Sequence, residues 1–134
     1  MTSPIDTPIN PPSPQGEPDL RSDMLAHLRQ LEAGGSPGLA KQVLEIFLRD
    51  TVARLANLRE ALGRRDADAA RVVAHTLHGS ASAVGAVTLE RGCFEILGEV
   101  RRGSFDRCEA LVTKLDADFT AIRRAVTEWM ADGI

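Results

Sequence analysis

The chain has 134 residues, 43% of them hydrophobic but 4% aromatic, which suits one domain with an aliphatic core of Leu, Val, Ile and Ala. Sixteen basic and nineteen acidic residues are interspersed for a net charge of −3, so there is no basic stripe of the kind that neutralises the phosphates of a nucleic acid. No basic region followed by an apolar run opens the chain; no signal peptide is visible and a cytoplasmic protein is expected.

Residues 1–17 hold five of the seven prolines, with Ser, Thr, Asn and Gln between them and no apolar periodicity. Such a composition buries too little surface to offset ordering entropy, so a disordered leader is expected there and a folded domain over 18–134. From Pro18, the residues Leu20, Met24, Leu28 and Leu31 recur at helical spacing until Gly34-Gly35, predicting a short first helix that lids one end of a bundle. Ser36-Pro37 then signals a second helix, since serine can cap free amides and proline suits the first helical position. Its apolar residues Val43, Leu44, Phe47, Leu48, Val52, Leu55, Leu58 and Leu62 form a broad stripe, and Gly63-Arg64-Arg65-Asp66 ends it. Phe47 and Leu48 cannot both point fully inward, so one of them is expected in an exposed apolar patch. Arg64 and Arg65 read as solvated charges, with contact to an acidic partner as the alternative.

Asp66 or Asp68 caps the third helix, which runs to about Ala83 before a turn at Gly85. A fourth helix carries Ala86, Leu89, Cys93, Ile96 and Val100 inward and breaks at Arg101-Arg102-Gly103. Ser104 caps the last helix, where Cys108, Val112, Leu115, Phe119, Ile122, Val126 and Trp129 alternate in steps of three and four. Four long amphipathic helices with short connections predict an all-α fold, an antiparallel up-down four-helix bundle with a short additional N-terminal helix. The stretch from Val72 to Leu89 lacks Asp, Glu, Lys and Arg, but its two histidines, two glycines and hydroxyls argue against a membrane span. Cys93 and Cys108 sit at unequal distances from the turn at Gly103, so both are expected as reduced core residues.

The third helix carries the chemistry. At helical pitch, Asp68, Arg71, His75, His78, Gly79 and Ser82 share one stripe, while Ala70, Val73, Leu77, Ala81 and Val84 share the opposite one. The apolar stripe goes to the core, which puts His75 on the wet side among small residues. From Ala74 to Leu97 the chain reads AHTLHGSASAVGAVTLERGCFEIL. This resembles the pattern AHxLKGSSxxxGAxxLxxxCxxL of the histidine-containing phosphotransfer (HPt) domains of phosphorelays, and the likeness extends from about Pro37 to Trp129. One departure stands out: the family usually has lysine where this chain has His78.

The resemblance implies that His75 accepts a phosphoryl group from an aspartyl-phosphorylated receiver domain and passes it to another receiver. It implies response-regulator receiver domains or a hybrid sensor histidine kinase as partners, with the aspartate and Mg²⁺ supplied by the receiver and no cofactor held by this chain. A free imidazole titrates at about pH 6.5, so a solvent-facing histidine is largely neutral and nucleophilic near neutral pH. In-line transfer needs open space along the attack line and positive charge on the equatorial oxygens. Gly79 removes bulk beside His75, Ser82 is small and can donate a hydrogen bond, and Arg71 can contact an acidic partner. His78 reads either as a neutral surface residue or as a donor to the phosphoryl oxygens in place of lysine. The chain has no glycine-rich nucleotide cradle such as G-x-x-x-x-G-K-[ST] and no acidic cluster suited to Mg²⁺. The expectation is a monomeric phosphoryl carrier without kinase or ATPase activity of its own. Two other classes compete: a metal site built from His75, His78 and His27, and an adaptor bundle that kept the fold and lost the transfer. Bundle metal sites use Glu-x-x-His pairs projecting into the core, whereas this pair projects outward, and intact His75 and Gly79 speak against the adaptor.

Overall fold

The computed structural model describes residues 26, 28–30, 32–34 and 38–131. The leader expected over 1–17, the capping pair Ser36-Pro37 and His27 lie outside them. Four helices follow in order: α1 (Leu39–Gly63), α2 (Ala67–Val84), α3 (Val87–Arg102) and α4 (Phe105–Ala131). Connections of two or three residues force each helix to run antiparallel to the one before. Each helix packs on two neighbours, α1 on α2 and α4, and α3 on α2 and α4, which closes the bundle. No strand occurs among the described residues.

The three turns share one hydrogen-bond pattern. After α2, Gly85 N–H donates to Ser82 O and Ala86 N–H to Ala81 O; after α3, Gly103 N–H donates to Val100 O and Ser104 N–H to Glu99 O. This closure needs a left-handed residue, and glycine takes it at φ 77° and 76° without a side-chain penalty. After α1 the same pattern recurs with Arg65 N–H to Leu62 O and Asp66 N–H to Ala61 O, and there the left-handed residue is Arg65 at φ 54°. Its guanidinium lies 5.5 Å from the centroid of the Phe105 ring and 3.2 Å from Asp106 Oδ1. Arg65 is thus a solvent-exposed charge, as read from sequence, that also reaches the start of α4.

Leu28, fully buried, sits in a helical segment ahead of α1 and joins the core, in keeping with the predicted first helix. Helix α1 begins at Leu39, two residues later than Ser36-Pro37 suggested, because Gly38 at φ 85° interrupts the helical path. Glycine has no side chain to cap with, and Glu32 Oε2 instead accepts the Ala40 N–H at 2.9 Å. Two inward assignments in α1 also change. Val52 is 47% exposed and Thr51 takes the core position, since Phe47, Thr51, Leu55 and Leu58 follow the helical repeat and leave Val52 off the stripe. Phe47 points inward with Leu48 half-buried, and its ring meets Phe119 edge-to-face at 6.3 Å. The exposed apolar neighbour is Ile46, not either of that pair.

Candidate functional site

Helix α2 is anchored at its start by Asp66, whose Oδ1 accepts the Ala69 N–H at 3.0 Å. Its inner face is Ala70, Ala74, Leu77, Ala81 and Val84, all buried. Three alanines on that face let neighbouring helices approach closely and fix which side of α2 is left to solvent. Arg71, His75, Gly79 and Ser82 occupy the outer side and are exposed, as expected; Val73, placed on the inner stripe, is half-buried. Arg71 reaches Asp68 at 4.0 Å, the long limit of an exposed ion pair.

Gly79 is the most telling neighbour of His75. A Cβ placed on it would meet nothing within 4 Å, so no packing inside the chain requires glycine there. Glycine inside a helix nevertheless costs about 1 kcal/mol relative to alanine. The missing side chain leaves open space outside the helix, one turn beyond the imidazole.

His78 is not free on the surface. It is about one-third exposed, and its Nε2 lies 3.7 Å from Glu90 Oε2 of α3, just outside hydrogen-bond reach. The Phe94 ring stands 6.4 Å from the His78 ring at a tilt of 46°. Neither Glu90 nor Phe94 was singled out from sequence. The signal was there in principle: residues equidistant from the Gly85-Ala86 turn face each other, which sets His78 against the Cys93 level, flanked by Glu90 and Phe94. Phe94 is 67% exposed and Val72 54%, so the histidine face carries apolar side chains on both flanks.

The cysteines behave as core. Both are free and buried, with Cys108 Sγ directed at Ile96 O at 3.9 Å. Burial, and then the Glu90 carboxylate, push the Cys93 thiol up to about 12; burial and then Glu99 and Glu109 push Cys108 up as well. Among the described residues no three His, Cys, Asp or Glu side chains are grouped to hold a metal, and none of their helices is long and apolar enough to cross a membrane.

The arrangement can present one imidazole to a protein partner, with open space along its approach and an apolar surround. Comparison with known proteins identifies a family. A family model, the Hpt domain, matches residues 42–125. Histidine-containing phosphotransfer protein 2 of Arabidopsis thaliana is 27% identical over 104 residues, spanning 75% of this chain and 67% of that protein. The crystal structure of histidine-containing phosphotransfer protein B (HptB) from Pseudomonas aeruginosa PAO1 superimposes with a TM-score of 0.75 at 29% identity, covering 81% of this chain and 94% of that one.

Proposed function

The chain belongs to the Hpt domain family, and we propose that His75 is the residue on which it carries the phosphoryl group. Its role is histidine phosphotransfer in a phosphorelay. The observation that supports His75 is its exposed position on α2 beside a glycine that no internal contact requires. In the forward step a ring nitrogen lone pair of His75 attacks the phosphorus of an aspartyl phosphate on a receiver domain. The P–N bond forms as the P–O bond to the aspartyl carboxylate breaks, and the carboxylate leaves with the electron pair. A second receiver's aspartate reverses the exchange. The carboxylate and the Mg²⁺ belong to the receivers, so this chain contributes the nucleophile, the cleared approach and the docking face.

Val72 and Phe94 supply apolar contact on either side of His75, and Arg71 supplies a charge for an acidic receiver. Ser82, small and exposed further along α2, offers a hydroxyl donor without blocking approach. The protein acts as a monomer. The experiment that tests the assignment is label transfer from a phosphorylated receiver to wild type and to His75→Gln: label on the first and none on the second supports it, and label on both overturns it.

A further inference from the structure

Where the family carries lysine this chain has His78, and an acidic acceptor faces it from the neighbouring helix. Glu90 Oε2 is 3.7 Å from His78 Nε2, with both side chains about one-third exposed, and Phe94 bounds the imidazole with its ring at 6.4 Å. The carboxylate is near enough to take the Nε2 proton in a hydrogen bond after a shift of under 1 Å. His78 also lies one turn from His75 on the same outer side of α2, where three-apart side chains are neighbours.

We infer that Glu90 is a positioning residue that competes with the phosphoryl group on His75 for the His78 imidazole, and so sets how readily phosphohistidine gives its phosphoryl group away. This rests on His75 being the phosphorylated residue. A lysine ammonium has three donors and can serve a carboxylate and a phosphoryl oxygen together, whereas a neutral imidazole has a single N–H and, carrying it on Nε2, serves one acceptor at a time. Replacing lysine by histidine opposite an acidic residue turns two compatible contacts into an exclusive choice. While Glu90 holds the donor, the phosphoryl oxygens on His75 lack it and the P–N bond stays labile. When Glu90 releases it, the donor stabilises the phosphorylated state.

The test uses the full chain as wild type, Glu90→Gln, His78→Ala and the double variant, with His75→Gln as the control for the site, each exposed to a phosphorylated receiver domain and then separated from it. Two quantities are read: the lifetime of the phosphohistidine and the equilibrium ratio of label between this chain and the receiver. Glu90→Gln is expected to lengthen the lifetime and shift the ratio towards this chain by about two- to fivefold, the range a partly exposed ion pair commands. The same substitution in the His78→Ala background is expected to change neither quantity. An equal effect in both backgrounds would mean that Glu90 simply repels the phosphoryl charge, and would overturn the proposal. Label retained in His75→Gln would overturn the assignment of His75 and this proposal together. Label lost there, with an unchanged lifetime in Glu90→Gln, would overturn this proposal alone.

Discussion

Gly92 of α3 abuts Leu115 of α4 so closely that a Cβ on the glycine would stand 2.6 Å from Leu115 Cδ1. Leu115 is 1% exposed and wedged in the core, so it has little room to yield. Gly92→Val should destabilise the bundle by about 1–3 kcal/mol through overpacking, read as a lower urea midpoint with an unchanged slope.

Gly79 is the opposite case. With nothing within 4 Å of its missing Cβ, Gly79→Ala should stabilise the protein by about 0.5–1 kcal/mol through helix propensity. It should also slow phosphotransfer, because the methyl group enters the space a receiver must use. Denaturation and label-transfer rates measured on the same preparation check both signs, and a stabilised variant with wild-type transfer would show that the space is not used.

His75→Gln should change stability by less than about 0.5 kcal/mol, because the side chain is outside the core, while losing all phosphoryl label. The label on wild type should be acid-labile and relatively base-stable, the reverse of phosphoserine. Acid and base treatment of the labelled chain provides the check.

At position 78, lysine should preserve or speed transfer near neutral pH, and alanine should slow it. Rates for the three forms between pH 6 and pH 8 are the measurement. Equal rates throughout would make His78 an ordinary surface residue.

The buried thiols should be inert in the folded protein. Cys93, pushed up to about 12 by burial and Glu90, should resist alkylation at pH 8 and react on denaturation. The linkage has a definite sign: above about pH 9 an unfolded thiol has lost its proton while folded Cys93 keeps it, so stability falls as pH rises towards 12. Cys93→Ala should reduce that alkaline loss in a series of melts.

Asp66, Gly85 and Gly103 were legible in the sequence because a cap or a left-handed turn is decided by one residue's own side-chain reach or its own φ. The exposed histidine was legible for a related reason: the helical repeat sorts inside from outside within a single helix. Pairs made across helices were not. His78 with Glu90, Arg65 with Phe105 and Gly92 with Leu115 depend on how far each helix is rotated about its own axis, which periodicity leaves loose by tens of degrees. The exchange of Val52 for Thr51 in the core of α1 is one such rotation, and hydrophobicity alone pointed to the wrong neighbour.

Helices α1 and α4 have 25 and 27 residues, whereas α2 and α3 have 18 and 16, so the outer pair outruns the histidine hairpin beyond its Gly85-Ala86 turn. The start of α1 and the end of α4 share that projecting pole, and Ala131 stands roughly 25 Å along the axis from the level of His75 at about 1.5 Å per residue. That pole is itself packed, with Val126 buried and Trp129 and Met130 half-buried against the core, so a fluorophore or an affinity handle joined after α4 would sit well away, along the bundle axis, from the level of His75.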